Sequence, residues 1–215
     1  LGALSRPRAA RHQRLGKLDS AMFYQPGGTG HNLAPFSQFQ NLTFDPPYMM
    51  LAANQTTQCK PKDPIEKLEQ TGEFVWNMAT YELREAVNIS GQEVPPEADE
   101  FEIAGVTKKE GNLVQVPMVA ESPIHFECKY HSTLRLPGNG HMGTVNVVIG
   151  EMIVIHISDQ ALTDDGLVDV LNLIARMGYY DCTSVESIFQ MVILNLNKEL
   201  RRGMEGKQSA ETSDA

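Results

Sequence analysis

Two long strand candidates dominate the pattern along the chain. Residues Val145–Ile157, the longest apolar run, are rich in Val and Ile, interrupted by Asn146, Glu151 and His156, and Ile124–Leu136 is the second. Runs of this kind predict strands. Residues 47–54 (PYMMLAAN) predict a buried strand, and Glu73–Met78 (EFVWNM) another. Short helices fall between them. Asp63-Pro64 opens one, with Asp as N-cap and Pro at the first helical position, running to about Thr71 and stopping at Gly72. Thr80 is expected to cap a second helix through about Asn88, with Glu82 and Glu85 in its early turns. A Pro/Gly/acid-rich loop covers 91–98, and a third short helix is predicted within 164–178. Strand and helix do not alternate regularly enough for a doubly wound sheet. The pattern predicts a mainly β architecture, an antiparallel barrel with small helical insertions.

Composition narrows the class. The chain has 215 residues, 41% hydrophobic and 21% charged, enough to bury a core without disulfide staples. The longest apolar run is too short for a membrane helix, so no membrane is expected. Residues 1–20 hold five basic residues and one acid, so the remainder of the −9 chain carries −13. A body that acidic repels phosphate backbones and argues against nucleic acid as a partner. Cys59, Cys128 and Cys182 are an odd, scattered set and read as reduced thiols in a cytosol. The Asn-x-Ser/Thr triplets at Asn41, Asn54 and Asn88 read as chance. Residues 1–21 read as a basic tail, a mitochondrial presequence or a wrongly assigned start, with Met22 the alternative start. Residues 22–202 are the expected domain and 203–215 a disordered tail. Location is cytoplasmic, or mitochondrial if the presequence is genuine.

The obvious motifs do not carry chemistry. Gly138-Asn139-Gly140-His141-Met142-Gly143 fits a dinucleotide pattern, but a Val/Ile strand follows it where a helix N-terminus is required. It reads as a turn between strands. His125, Cys128 and His131 lie three apart on one strand, which puts the two histidines roughly 20 Å apart and Cys128 on the other face. They cannot share an ion, and no metal site is expected. His156 reads as a hydrogen-bonded core or interface histidine. No Gly-x-Ser-x-Gly elbow is present, and no acid–base dyad is evident, so no catalytic side chain is assigned. Asp164-Asp165-Gly166 reads as a turn leading into the third helix. Glu93, Glu97, Asp99, Glu100 and Glu102 read as a solvated acidic loop.

Two segments remain. Residues 32–41 (NLAPFSQFQN) mix small residues, amides and a hydroxyl between two phenylalanines, suited to lie against a flat heteroaromatic ring. Residues 54–57 (NQTT), followed by Lys60-Pro61-Lys62-Asp63-Pro64, offer hydroxyls, amides and two ammonium groups ahead of a helix N-terminus. That arrangement suits either a phosphate or a plain polar loop with a capped helix.

In order along the chain stand NLAPFSQF (32–39), Asp45-Pro46-Pro47, Lys62-Asp63, TGEFVWN (71–77), DEFEIAG (99–105) and AESPIHFEC (120–128). This combination resembles the flavin reductase-like, FMN-binding split-barrel family over about Asn32 to Tyr180, and MFYQPG (22–27) is similar to that family's usual start. The resemblance implies a six-stranded Greek-key split barrel with helical inserts, non-covalent FMN near a homodimer interface, and NAD(P)H as electron donor. It also implies site residues. Ala34, Pro35, Phe36 and Ser37 would line the isoalloxazine. Asn54, Gln55, Thr56 and Lys62, with Asp63 capping the helix, would surround the ribityl phosphate. Asn77 would lend support, and Tyr179 would close over the ring or the nicotinamide. One departure stands out: only residues 28–31 separate Gly27 from Asn32, where the family has a longer segment carrying the first barrel strand. The barrel is therefore expected to lack that strand and expose two unpaired edges.

Two functions compete. One is an FMN-dependent oxidoreductase passing hydride from NAD(P)H to flavin or another small-molecule acceptor. The other is a non-enzymatic flavin-binding or cofactor-free split barrel, favoured by the missing segment. A metal-dependent hydrolase built on the histidines is a weaker third.

Overall fold

The two long strand candidates pair with each other. In the computed structural model, strand β8 (Ile124–Leu136) and strand β9 (Val145–Ile157) form a long antiparallel hairpin. Residues 21–27, 30–95, 97–140, 142–164, 166–169, 171–189 and 191 are described, with side chains from residue 31 onward. The described residues up to 187 belong to one compact unit, Leu15–Ser187. Of the expected tails, residues 1–21 and 203–215, all but Ala21, which opens a strand, lie outside the described residues.

The remaining strands are β1 (Ala21–Gly27), β2 (Gly30–Phe36), β3 (Phe39–Asn41), β4 (Tyr48–Asn54), β5 (Glu73–Met78) and the short β6 (Lys108–Lys109), β7 (Met118–Val119), β10 (Ile174–Arg176) and β11 (Cys182–Ser184). The helices are α1 (Asp63–Thr71), α2 (Arg84–Ile89) and α3 (Glu100–Ala104), with a 3₁₀ turn at Asp159–Ala161. The main sheet runs β2-β1-β5-β8-β9-β4-β3, every pair antiparallel. Its two edge strands, β2 and β3, are separated by Ser37 and Gln38 alone. One bent segment thus serves both edges, and the sheet closes on itself as a six-stranded split barrel. Short β6 and β7 pair with each other outside it.

The interior is aromatic at its centre. Trp76 stacks between Phe126, at 4.3 Å, and Phe39, at 5.2 Å. Met49, Leu51, Phe74, Cys128 and Val148 surround them. Ile65 and Leu68 of α1 join the same core, and the helix ends where Gly72 adopts φ 74°. Gly150 is required by packing, since a Cβ there would sit 2.4 Å from the Phe74 ring. A second cluster lies outside the barrel, where Leu33 and Val75 meet Ala86 of α2, Phe101 of α3, and Val114, Val116, Met118 and Val119.

Strands over 48–54, 73–78, 124–136 and 145–157 fall where the pattern predicts them, and the 138–143 glycines do form a turn between strands. Gly138 is needed there, because a Cβ would lie 2.0 Å from the Gly143 backbone. Five expectations need correction. The barrel does not lack its first strand: Ala21–Gly27, read as the segment before the barrel, takes that place between β2 and β5. Asp63 does not cap α1; Lys62 is the N-cap residue and no side chain caps the helix. The second helix starts at Arg84 instead of Thr80, because Thr80 bridges to Leu173 and the Tyr81 N–H is taken by the Asn172 carbonyl at 2.8 Å. No helix forms among the described residues between 164 and 178. Leu173 and Ile174 pair there with the chain leaving β5, Ile174 N–H to Ala79 O at 3.3 Å, and β10 pairs with β11. The acidic loop holds α3, capped by Asp99, whose Oδ1 accepts the Phe101 N–H at 3.1 Å.

Replacing Gly150 with Ala forces a methyl into the Phe74 ring. It is expected to destabilise the protein by about 1–3 kcal/mol, read as a lower chemical-denaturation midpoint with an unchanged denaturant slope.

Candidate functional site

Strand alternation divides the segment expected to line a ring. Phe36 belongs to the barrel core and Ala34 packs against it, while Leu33 faces the outer cluster. Pro35 shares the outer face and lies against Gly91 beyond α2, where an added Cβ would be 3.4 Å from its ring. Ala34, Pro35 and Phe36 therefore cannot offer one continuous side-chain wall. What the segment presents at the bend is backbone and the half-buried Ser37. The Ala52 N–H donates to Gln38 O at 2.9 Å. One step further along that register sets Ser37 level with Ala53, next to Asn54.

Asn54 ends β4, where its Nδ2 donates to the Met142 carbonyl at 3.0 Å and the Gln55 N–H donates to Thr144 O at 3.0 Å. The 54–56 segment is thus fastened to the β8–β9 turn. Thr56 closes the next loop on itself: its N–H donates to Lys60 O at 2.8 Å, and its hydroxyl contacts the Lys60 backbone at 3.2 and 3.3 Å. Cys59 sits in that loop at φ 60°. Lys60 and Lys62 are exposed. From here α1 packs on β1, β2 and β5. Ser37 and Asn54–Gln55 thus stand at the seam where the sheet's two edges meet, and Lys60–Lys62 follow in the loop that leads to α1.

The start of α1 is a poorer anion site than its sequence promised. Pro64 has no N–H, and the Ile65 and Glu66 N–H groups turn back to Lys62 O at 2.8 and 3.2 Å. Asp63 and Glu66 add negative charge to the first turn. For a phosphate, the fitting groups are the side chains of Lys60 and Lys62 and the exposed hydroxyl of Thr57. Asn77 and Tyr179 stand elsewhere. Asn77 is fully buried, and its Oδ1 accepts the Val119 N–H at 2.8 Å, a structural tie. Tyr179 is 77% exposed at the tip of the β10–β11 hairpin, beside Tyr180 and under the Arg176 guanidinium.

Two buried carboxylates outside the barrel escaped the sequence reading. Glu127 on β8 is fully buried and accepts the N–H groups of Asn112, Leu113 and Val114 at 2.7–2.9 Å, together with His156 Nε2 at 2.5 Å. Burial works against its charge, yet these donors outweigh it and hold its pKa below the ordinary value. Neighbouring His125 is pushed down to about 4, first by burial. It is therefore neutral, and its Nε2 donates to Val119 O at 2.7 Å. Glu100 on α3 is 8% exposed and accepts the Leu33 N–H and, at 2.9 Å, Asn32 Nδ2. The available signal was its position directly before Phe101 in a motif that alternates acids with apolar residues. Among the described residues no three His, Cys, Asp or Glu side chains could together hold a metal ion, and no helix is long and apolar enough to cross a membrane.

Comparison with known proteins agrees with this architecture. The chain is similar to an uncharacterized protein of Halalkalibacterium halodurans, 33% identical over 68% of this chain and 70% of that one. It is also similar to an uncharacterized protein of Aquifex aeolicus, 33% identical over 62% of this chain and 65% of that one. Among solved structures, nitrilotriacetate monooxygenase component B from Bacillus cereus superposes with a TM-score of 0.75 at 21% identity, covering 89% of this chain and 100% of that one. Flavoredoxin from Methanosarcina acetivorans superposes with a TM-score of 0.68 at 17% identity, covering 92% of this chain and 100% of that one. At those identities the likeness is one of fold. The family described as the flavin reductase like domain matches residues 24–181, the stretch that holds the barrel, α1 to α3 and the seam, and the chain belongs to that family.

Proposed function

We propose that this flavin-linked oxidoreductase holds FMN at the seam beside Ser37 and takes its electrons from NAD(P)H. The observation that carries the reading is the alignment of Ser37 beside Asn54 at the seam, with the lysine-bearing 56–62 loop following directly in the chain, in a member of the flavin reductase-like family. Bound FMN would supply hydride acceptance and release, chemistry that no side chain of the protein provides. The protein's part is to hold and orient. Backbone groups at Pro35–Ser37 meet the ring, Asn54 and Gln55 keep the wall rigid through the Met142 and Thr144 carbonyls, and Lys60 and Lys62 neutralise the phosphate. Pro35 contributes backbone rather than a side-chain face. Asn77 and Tyr179, expected from the family likeness, have no part in this site as we draw it.

A homodimer fits the same reading. Leu134, Leu136, Val145, Val147 and Ile149 alternate on the outward face of the β8–β9 hairpin, and Leu134 and Leu136 are 55% and 46% exposed. An apolar stripe of this kind suits a self-complementary interface. A flavin-binding protein without turnover is the second reading, supported by the closed N-terminus of α1, which leaves the phosphate to mobile side chains.

FMN titrated into the purified chain is expected to saturate near one equivalent, followed by quenching of flavin fluorescence; absence of saturable binding removes the cofactor. NADH oxidation at substoichiometric FMN separates the enzyme, which turns over, from the carrier, which binds without turnover. Lys62→Ala is expected to weaken FMN binding about two- to fivefold, as an exposed charge contact should, with the loss shrinking as salt rises. An unchanged dissociation constant takes Lys62 out of the site. Light scattering at micromolar protein is expected to give twice the chain mass, and a monomer mass counts against the dimer.

A further inference from the structure

We infer that Glu100 is a positioning residue, a proton-operated latch that ties α3 to the open edge of β2 and so sets the segment leading into the proposed flavin wall. The inference rests on the cofactor reading for its second half only. Among the described residues β2 has β1 on one side and no strand on the other. The Leu33 N–H points to that open side, and Glu100 takes it with one carboxyl oxygen while the other accepts from Asn32 Nδ2 at 2.9 Å. A side chain of α3 thus stands where a neighbouring strand's carbonyl would stand, covering an edge that would otherwise be exposed. Three residues further along β2 comes Phe36, and then the bend at Ser37.

The contact is built for a proton. Asn32 is 8% exposed, and its Oδ1 has no hydrogen-bond partner among the described residues. An ionised Glu100 offers acceptors alone and leaves that oxygen unmet. A protonated Glu100 has an O–H to give, and a turn of the Asn32 amide lets Oδ1 receive it while Leu33 stays bound. The surroundings oppose one another. Lys67 on α1 favours the carboxylate, and Asp63 on the same helix disfavours it. Asp99 and Glu102 share the helix, Asp99 being paired with Lys108, and His31 of β2 lies against Phe101. Burial prevails and lifts the Glu100 pKa from 4.5 to about 7. A raised acid pKa means the closed form binds the proton more tightly than the open one. The latch is therefore firmest at acid pH, weakens as pH climbs from about 4.5 to about 7, and stays weak above.

The test is amide hydrogen exchange at Leu33, corrected for its intrinsic pH dependence, from about pH 5.5 to about pH 8.5, with FMN affinity measured in parallel by flavin fluorescence. In the wild type, protection at Leu33 is expected to fall about tenfold or more across the range, and FMN affinity to fall with it. Glu100→Gln mimics the protonated acid and should retain Leu33 protection with a flat pH profile in both measurements. Glu100→Ala should lose the protection at every pH. Circular dichroism matching the wild type confirms that the variants fold, and the Gln variant keeps the test decisive if the Ala variant does not. A Gln variant with the wild-type slope, or an Ala variant with wild-type protection at Leu33, overturns the latch. FMN affinity that ignores pH while Leu33 exchange follows it overturns the link to the flavin wall. FMN that fails to bind at any pH removes the cofactor reading, and the exchange data still decide the latch.

Discussion

The structure depends on one segment serving two edges. β2 and β3 are consecutive stretches of chain, yet they stand at opposite ends of the sheet order. That is geometrically consistent only if the intervening strands coil until the two edges meet. The bend at Ser37–Gln38 is where they meet, and it explains why Phe36 faces inward next to residues that leave the sheet. Elsewhere the barrel interior is filled by stacked aromatics, tightly enough that Gly150 has no space for a methyl group.

A split barrel leaves polar backbone to be satisfied outside the ladders, and here carboxylates do much of that. Glu127 gathers three consecutive N–H groups of the 112–114 segment, Glu100 takes the N–H of an edge strand, and Glu73 accepts the N–H of Gln115 at 3.0 Å. Three acids thus tie the outer layer to the sheet. The two deepest differ in how their charge is balanced. Glu127 has enough donors to stay ionised in the dark of the core. Glu100 has fewer and lies nearer Asp63, so burial prevails. Like chemistry gives a fixed tie in one place and a protonation-sensitive one in the other.

Much of the fold was legible because the long strands are long enough to show their pattern. Residues 145–157 declare themselves through Val and Ile, residues 124–136 through their length, and residues 73–78 through their compact apolar run. Elements decided by tertiary pairing did not show. Thr80 and Leu173 lie far apart in sequence, and their bridge ends one expected helix early and replaces another. The five residues of α3 are too few for a visible period, and their acids read as solvent-facing when one of them is a core group. For the proposed site, the family likeness names segments but not faces. Alternation on β2 sends Phe36 inward and Pro35 outward, which a list of lining residues cannot express. The loss of the α1 anion site turns on where two N–H groups point, a detail that the Lys-Asp-Pro string leaves open.

The division of labour at the seam follows from these constraints. Catalysis through a carried cofactor asks the protein for position and for a matched charge, and gives no role to a proton-transferring side chain. The proposed site agrees: its wall would be backbone and small polar groups held by main-chain carbonyls, and its charge would come from two exposed lysines. Because the helix N-terminus is occupied by a proline and two acids, the phosphate would be held by flexible ammonium groups rather than by fixed N–H donors. Such a hold is strong in attraction and weak in preorganisation, so affinity depends on how well the wall itself is set. That is why the edge of β2 matters more than its distance from the lysines suggests. Whatever fixes Asn32 and Leu33 fixes the approach to Ser37, and rigidity lacking at the phosphate end has to come from the strand.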